Sequence, residues 1–260
     1  MTFRFRMPML RRPVRSALPR SEPEYCAPVD LDPDPGSPRT GDIVLSVDDA
    51  SVSRDGITLL PSTTFAVAAG ECVAIRGENG AGKTTLLRVL AGRLRPTGGS
   101  ATLAGRTVDE RRPEMRRAIA ALIDPPALYP DLTVADHLEF IVAAWAPFAE
   151  RHEPDTVVPP ADPSAVEGAL RAFGLSRLRD RFPDELSSGQ RQLVALAVTF
   201  ARPARVMLLD EPEQRLDPDR LALLAAAIRR ASHRGISVVF ASHNSALVAA
   251  VAHRSVRIAE

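Results

Sequence analysis

The stretch Gly77-Glu-Asn-Gly-Ala-Gly-Lys83-Thr84 decides the fold of this chain. It fits the pattern G-x-x-x-x-G-K-[ST], in which glycines let backbone N–H groups turn inward around the oxygens of a phosphate. An apolar strand over Glu71–Arg76 precedes the loop, and the leucine spacing of Thr84–Leu94 predicts a helix after it. The N-terminal dipole of that helix would add to the attraction for phosphate. The alternative, a glycine-rich turn with a chance lysine, does not explain this order of strand, loop and helix.

The lysine of this loop, Lys83, is the only lysine among 33 Lys and Arg residues. Since arginine takes every other basic position, lysine here indicates a need for a compact ammonium group, which a planar guanidinium does not replace. We expect Lys83 to reach the β- and γ-phosphates of a nucleotide and the Thr84 hydroxyl to bind Mg²⁺. The loop residues predicted to bind the nucleotide are Gly77, Glu78, Asn79, Gly80, Ala81, Gly82, Lys83, Thr84 and Thr85.

The overall composition is that of a globular protein. The chain has 260 residues, of which 45% are hydrophobic and 25% charged. Its net charge of +1 gives no electrostatic reason to expect nucleic acid as a partner. Two cysteines are too few for a disulfide framework or a zinc site, so a reducing compartment is expected. No run of roughly 20 apolar residues is present, so any membrane role is expected to be peripheral.

The first 40 residues differ from the rest of the chain. They are rich in Arg and Pro and have neither helical nor strand periodicity, which predicts a disordered tail over 1–40. An organellar transit peptide is an alternative, since the first twenty residues hold six arginines and no acid. Pro8, Pro13 and Pro19 argue against the amphipathic helix that such a peptide needs.

From residue 43 onward, strands alternate with helices. Ile43–Val52 and Ile57–Val67 are expected to pair as a hairpin around Asp55-Gly56. Thr133–Trp145 is a predicted helix whose start has a capping pair, Thr133 and Asp136. The other predicted elements are strands at Ser100–Leu103, Ala118–Ile123, Val206–Leu209, Ile236–Ala241 and Ser255–Ile258, helices at Ser164–Phe173, Gly189–Ala201 and Pro218–Ser232, and a loop over 146–163. This alternation predicts an α/β fold with parallel strands.

Two acids end one of the apolar strands, in Val206-Met-Leu-Leu-Asp210-Glu211. A strand this apolar is expected to be buried, and its carboxyl end would then open on a ligand crevice. We expect Asp210 to hold Mg²⁺ and Glu211 to act as the general base on the attacking water. The alternative for the strand alone is an acidic, solvated turn.

Two further segments gain meaning from their position. Leu186-Ser-Ser-Gly-Gln190 precedes a helix, and on its own it would be explained as a serine-rich helix cap. It lies just before the acid-ended strand, and the dipole of its helix could face a γ-phosphate. His243 follows the strand Ile236–Ala241 where a γ-phosphate sensor would lie, although a histidine at a strand end is more often structural.

Together these segments resemble the ABC ATPase cassette, over about Ile43–Glu260. The resemblance implies a P-loop NTPase core with an antiparallel β-subdomain and an inserted helical subdomain at about 124–185. It also implies a head-to-tail dimer, in which the signature segment Leu186–Gln190 of one subunit caps the ATP held by the other. The D-loop is Leu216-Asp217. The residues that the resemblance assigns to binding the ATP of the partner subunit are Ser187, Ser188, Gly189 and Gln190 of the signature and Asp217 of the D-loop. His243 becomes the switch histidine, a catalytic residue beside Glu211.

The chain departs from the family pattern at four positions. Arg54 stands where an aromatic residue usually stacks on adenine, so stacking by its guanidinium is the expected base contact. Asp124 stands where the Q-loop glutamine is usual, and we expect it to bind Mg²⁺ or water. Ser188 and Arg215 each replace a usual glycine, in the signature and before Leu216-Asp217 respectively. None of these changes removes Lys83 or Glu211.

The function expected from the resemblance is that of an ATP-binding and ATP-hydrolysing subunit of an ABC transporter. With ATP and Mg²⁺ as cofactors, it would pair with a second cassette and drive a separate membrane permease. It would lie in the cytoplasm, peripherally on the inner face of the membrane, with no nucleic-acid partner. Asp124 favours export, because family members that resemble antibiotic exporters carry an acid there. The alternatives are a non-transport ABC ATPase acting on ribosomes or DNA, and a nucleotide-binding regulatory partner without turnover.

Overall fold

Two β-sheets form the framework of the chain in a computed structural model that describes residues 42–124, 128–149 and 163–258. The strands are β1 (Ile43–Arg54), β2 (Ile57–Ala68), β3 (Cys72–Arg76), β4 (Gly98–Leu103), β5 (Arg106–Thr107), β6 (Ile119–Leu122), β7 (Val206–Asp210), β8 (Ser237–Ala241) and β9 (Arg254–Arg257). The α-helices are α1 (Lys83–Leu90), α2 (Pro113–Ala118), α3 (Val134–Ala149), α4 (Pro163–Ala172), α5 (Ser188–Ala201), α6 (Pro218–His233) and α7 (Ser245–Val251). The predicted tail at 1–40 lies outside the described residues, as does most of the predicted loop at 146–163.

The first sheet is antiparallel, in the order β2-β1-β4-β5. Its β1–β2 hairpin turns at Asp55 and Gly56, whose φ angles are 52° and 78°. Two successive positive φ angles match the right-handed twist of paired strands, which is why an Asp-Gly pair favours such a turn. The hairpin predicted from the sequence is therefore confirmed.

The second sheet is parallel, in the order β6-β7-β8-β3-β9. Parallel strands point their carboxyl ends to the same edge. β3 and β7 are the two neighbours of β8, so the chain segments that follow all three strands meet at that edge. These segments contain the phosphate loop, Glu211 and His243.

Alternate residues of the parallel strands enter two different cores. Val73 and Ile75 of β3 pack with α1 and the antiparallel sheet, so α1 lies between the two sheets. Ala74 and the fully buried Cys72 face the opposite side, where they join a core with α3, α4, α5 and α6. Burial raises the pKa of the Cys72 thiol, as is usual for a cysteine in apolar surroundings.

The predicted start of α3 is confirmed in atomic detail. The Thr133 hydroxyl accepts from the Asp136 backbone N–H at 3.2 Å, and the Asp136 carboxylate accepts from the Thr133 backbone N–H at 2.9 Å. These reciprocal bonds satisfy donors that an α-helix leaves free at its N-terminus. Hydrogen bonds from Thr133, first from its hydroxyl and then from its backbone N–H, lower the pKa of the Asp136 carboxyl.

The described part of the span 124–185 contains α3, α4 and two short 3₁₀ turns, Ser176–Leu178 and Pro183–Glu185. α3, α4 and α5 pack against one another. None of the described helices combines the length and the apolar character needed to cross a membrane.

Candidate functional site

The phosphate loop joins β3 to α1 and folds around its own lysine. The Lys83 ammonium is nearly buried and donates to the carbonyl oxygens of Gly77 and Glu78, at 3.0 and 2.7 Å. The helix that follows has Gly82 as its N-cap, without a side-chain cap, so its first N–H groups face the loop. Glu78, Asn79 and Gly80 are exposed at the tip. A lysine and free helix N–H groups around one small loop form a place for a phosphate chain.

Gly82 shows why the loop needs its glycines. Its φ angle is 99°, which side chains rarely adopt, and a Cβ there would lie 2.6 Å from the Leu59 carbonyl oxygen of β2. The antiparallel sheet therefore presses directly on the base of the loop. Any side chain at this position would push the loop away from β2 and misplace Lys83.

Asp210, at the end of β7, meets the loop at Thr84. The Thr84 hydroxyl donates to the Asp210 carboxylate at 2.6 Å. Burial raises the pKa of Asp210, with an opposing contribution from the Thr84 hydrogen bond and a reinforcing one from the charge of Glu211. A hydroxyl and a carboxylate at one point are hard oxygen ligands of the kind that Mg²⁺ takes along with phosphate oxygens and water. Thr84 and Asp210 therefore fit the predicted metal site.

Glu211 lies directly after this strand, in a strained backbone conformation. Its φ angle is 43°, and its N–H donates to the Ala241 carbonyl oxygen of β8 at 2.9 Å. One carboxylate oxygen lies 3.7 Å from Nε2 of His243, and the other accepts a short hydrogen bond from the Gln214 amide. Positive φ in a non-glycine residue outside a hairpin turn costs energy, and such residues cluster at functional sites. The structure thus places the expected base beside the expected switch histidine.

Glu213 and Gln214 contact this pair and were not predicted from the sequence. Gln214 holds the Glu211 carboxylate, while the Glu213 carboxylate accepts from the loop that contains His243. Both residues lie within three positions of Glu211, but no spacing pattern separates them from an ordinary polar turn. Only the fold brings β8 and its loop to them.

The signature segment forms the N-terminus of α5. The Ser187 hydroxyl accepts from the Gln190 N–H at 3.2 Å, and the Gln190 side chain accepts from the Ser187 N–H at 2.8 Å. Ser187 and Ser188 are exposed, whereas Gly189 is buried. The segment is therefore a helix cap, and the N-terminus of α5 faces outward. Among the described residues, no hydrogen bond joins this segment to the phosphate loop of the same chain.

The D-loop residue Asp217 is the N-cap of α6. Its carboxylate accepts from the Arg220 N–H at 2.9 Å and pairs with the Arg220 side chain at 3.3 Å. Before it, Arg215 has a φ angle of 64°. The Arg215 carbonyl oxygen lies 2.5 Å from where a Cβ on Gly189 would be, so the D-loop backbone packs tightly on the signature helix.

Arg54 and Asp124, the two departures from the family pattern that were expected to bind ligands, make other contacts in the structure. Arg54 is exposed at the hairpin end, with Nε 3.8 Å from the Asp55 carboxylate. The Asp124 carboxylate pairs with Arg88 of α1 at 2.8 Å and with Arg93 at 3.4 Å. For Asp124 to bind Mg²⁺, it would have to leave both arginines. The adenine contact of Arg54 and the metal role of Asp124 stay predictions.

The comparison with known proteins points to one family. The sequence model of the family described as ABC transporter matches residues 60–214, more than half of the chain. The chain is 34% identical over 222 residues to the sulfate/thiosulfate import ATP-binding protein CysA of Mycolicibacterium paratuberculosis, covering 85% of this chain and 58% of that protein. It is 35% identical over 187 residues to the thiamine import ATP-binding protein ThiQ of Vibrio vulnificus, covering 72% of this chain and 75% of that one.

A solved structure described as the ATP binding subunit of an ABC transporter is similar in fold, with a TM-score of 0.69 and 27% identity over 82% of this chain and 85% of that chain. The chain spans about half the length of the first curated relatives that it matches, 48% and 58% of them. The α/β fold, with a P-loop NTPase core, an antiparallel sheet and additional helices, is that of these cassettes. From the matched profile, the identity and the shared fold, the chain belongs to the ABC transporter family, among its ATP-binding proteins.

Proposed function

We propose that this chain binds ATP with Mg²⁺, hydrolyses it as a dimer, and thereby drives a separate membrane permease. The observation that carries the proposal is the contact series from Lys83 and Thr84 through Asp210 to Glu211 and His243. The proposal is supported by the position of these residues at the same edge of the parallel sheet, where they would act as phosphate loop, metal ligand and base. The family and the names of the relatives support the same function.

The residues divide the chemistry between them. Lys83 and the N–H groups of residues 78–85 bind and orient the triphosphate, so that the γ-phosphoryl group points toward the end of β7. Thr84 and Asp210 would hold Mg²⁺, which neutralises charge on the β- and γ-phosphates when bound. Glu211 accepts a hydrogen bond from the attacking water and increases its nucleophilicity. His243, next to Glu211, is placed to donate to a γ-phosphate oxygen.

A second copy is needed to complete the site in this proposal. The N-terminus of α5 faces outward, and Ser187 and Ser188 are exposed. Its free N–H groups can bind the γ-phosphate held by another cassette, which a head-to-tail pair would allow. The pair would close when ATP binds and reopen after hydrolysis. This movement would drive the permease. The second cassette is either another copy or a related subunit.

The permease and the membrane position are inferred from the relatives. CysA and ThiQ are named as import ATP-binding proteins, which supports a transport role. The helices between residues 124 and 185 are the proposed contact with the permease, and the chain would lie peripherally on the cytoplasmic face of the membrane. Nucleic acid is not proposed as a partner, since the net charge is only +1.

The direction of transport is a separate part of the proposal. Export was expected with Asp124 as a pointer, and the relatives whose names give a direction are importers. Asp124 pairs with two arginines here, an arrangement that does not itself favour export. Reconstitution with the permease in vesicles would decide this point. Substrate carried out of the compartment that contains ATP would indicate export. Substrate carried into that compartment would indicate import.

The experiment that tests the proposal compares wild type with Glu211→Gln. Glutamine keeps the size of the side chain but cannot act as a base, so turnover should fall by at least about 100-fold while ATP binding persists. ATP should then hold Glu211→Gln as a dimer in size-exclusion chromatography. An equal rate in both proteins would refute the role of Glu211. ATP binding without turnover in the wild type, even with the permease, would favour the regulatory-partner alternative.

A further inference from the structure

The Glu213 side chain bridges the segment after the base and the loop that contains His243. One of its carboxylate oxygens, Oε1, accepts three hydrogen bonds from that loop. The donors are the Ser242 hydroxyl at 2.5 Å, the His243 backbone N–H at 3.2 Å and the Asn244 backbone N–H at 3.3 Å. These three residues follow β8 directly, so a single oxygen fixes the path of the chain on both sides of the histidine.

The second oxygen of Glu213 shows how closely the side chain is enclosed. Oε2 is buried and has no hydrogen-bond partner among the described residues. A buried carboxylate oxygen without a donor is costly, because it loses its water without replacement. This arrangement is not that of a solvated surface acid.

The backbone around Glu213 links the same point to the signature helix and the D-loop. The carbonyl oxygen of Pro212, one residue earlier, accepts from the Gln192 side chain of α5 at 3.2 Å. The Glu213 carbonyl oxygen accepts from the Leu216 N–H at 3.1 Å. Glu213 is thus placed where movement of α5 or of the D-loop would reach the histidine loop.

We propose that Glu213 is a positioning residue for His243: it holds the backbone of the histidine loop so that the imidazole stays beside Glu211 and the γ-phosphate. This inference rests on the proposed ATPase function. Without the Glu213 carboxylate, the His243 N–H and the Ser242 hydroxyl lose their acceptor, and the Asn244 N–H keeps only Ser242 Oγ, so the loop is no longer held in one conformation. The ring of His243, now 3.7 Å from Glu211, would then sample several positions.

The kinetic test uses Glu213→Ala and Glu213→Gln, with Glu114→Ala as a control at an exposed acid of α2. Since small displacements of catalytic groups cost up to about 100-fold in rate, we expect Glu213→Ala to lower kcat about 10- to 100-fold. The KM for ATP should change less than about threefold, since Glu213 acts away from the phosphate loop. Glu213→Gln retains an acceptor oxygen and should recover most of the loss. A raised KM with unchanged kcat, or equal losses in both variants, would overturn the proposal.

A second readout does not depend on turnover. Amide hydrogen exchange at His243 should accelerate at least about tenfold in Glu213→Ala, because its N–H loses its acceptor, and it should stay near wild type in Glu213→Gln. The effect at Asn244 should be smaller, because its N–H also donates to Ser242 Oγ at 3.0 Å. Unchanged exchange in Glu213→Ala would refute the positioning role, whatever the kinetics. If the wild type fails to hydrolyse ATP but the exchange result is as expected, the proposed ATPase function fails while the hold of Glu213 on the histidine loop stands.

Discussion

Lys83 is informative because it is the only lysine in the chain. Its ammonium is nearly buried and lies between two carbonyl oxygens of its own loop, at 2.7 and 3.0 Å. A guanidinium is larger, planar and directional, and it would not enter this space without moving the loop. The reason for lysine at this position is therefore shape as well as charge.

Replacing Lys83 with Arg should accordingly weaken ATP binding by at least about tenfold, a loss of roughly 1.4 kcal/mol, although the charge is conserved. Isothermal titration with ATP and Mg²⁺ would measure it. Arg106→Lys, at an exposed position of β5, is the reverse substitution and should leave the affinity unchanged. Wild-type affinity in Lys83→Arg would show that the loop needs only a positive charge.

Asp210 illustrates a cost of function. Burial raises the pKa of its carboxyl, so the fold binds the proton of Asp210 more tightly than the unfolded chain does. The stability linked to this group is therefore fully present below the ordinary aspartate pKa of about 4, and it is lost as pH rises through the raised value. The proposed Mg²⁺ role would need the charged form, because a carboxylate binds a metal only when it is deprotonated.

Asp210→Asn should then raise the free energy of unfolding of the nucleotide-free protein at neutral pH. The gain should stay below about 1 kcal/mol, because the group is partly exposed to water. It should vanish below about pH 4, where Asp210 is protonated in both states. Mg²⁺-dependent turnover should be lost. Urea unfolding at pH 7 and pH 4 measures the first effect, and Asp219→Asn, an exposed acid of α6, should show no such gain. Equal stabilisation at both pH values would disprove the charge argument.

At the scale of elements, α5 combines a capped, outward-facing N-terminus with a buried contact to the D-loop. The capping pair Ser187 and Gln190 starts the helix, and Gly189 lets the Arg215 carbonyl oxygen approach. A Cβ on Gly189 would lie 2.5 Å from that oxygen and 2.7 Å from the Arg220 side chain. The absence of a side chain at Gly189 is thus a condition for packing the signature helix against the D-loop.

Gly189→Ala should therefore lower the free energy of unfolding by about 1–3 kcal/mol, the range for overpacking, and reduce ATP turnover. Gly168→Ala in α4 is the matched control, because a Cβ there meets no atom within 4 Å. That substitution should stabilise the chain by roughly 0.5–1 kcal/mol through helix propensity. Thermal and urea unfolding of the two variants give the comparison. A stable, fully active Gly189→Ala would mean that the D-loop moves away easily.

The elements that could be predicted from the sequence are those with strong local signals. The Asp55-Gly56 hairpin and the Thr133–Asp136 helix start each depend on residues close in sequence, and both are confirmed. The helix after the phosphate loop was predicted to reach Leu94 because the apolar spacing continues, but it ends at Leu90. The reason is Gly92, whose φ angle of 71° breaks the helix.

Elements and contacts without a local signal were missed. α2 has six residues and one buried side chain, Met115, so its amphipathic pattern is too short to recognise. The pairing of Asp124 with Arg88 and Arg93, and the hold of Glu213 on the histidine loop, join positions about 30 residues apart. Such contacts depend on how β7, β8 and α1 meet, and the sequence pattern alone does not contain that information.

At the scale of the whole molecule, the described residues include two groups that the proposed function assigns to one nucleotide site. The phosphate loop, Asp210, Glu211 and His243 meet at one edge of the parallel sheet. The signature end of α5 instead packs on the D-loop backbone through Gly189 and contacts the Pro212 carbonyl oxygen through Gln192. This separation is what a head-to-tail pair would resolve, because each copy would supply one half to the other.

A mixing experiment distinguishes a shared site from one completed within a single chain. Lys83→Ala removes the phosphate half of the site, and Ser187→Arg blocks the outward-facing signature half, so each variant alone should be inactive. In a 1:1 mixture, about half of the pairs contain one of each, and each of these has one intact composite site, so turnover should return to about a quarter of wild type. If each chain completed its own site, the mixture would stay inactive. Recovery that disappears when the mixture is diluted below the pairing concentration would further tie the activity to the contact between copies, since association depends on concentration.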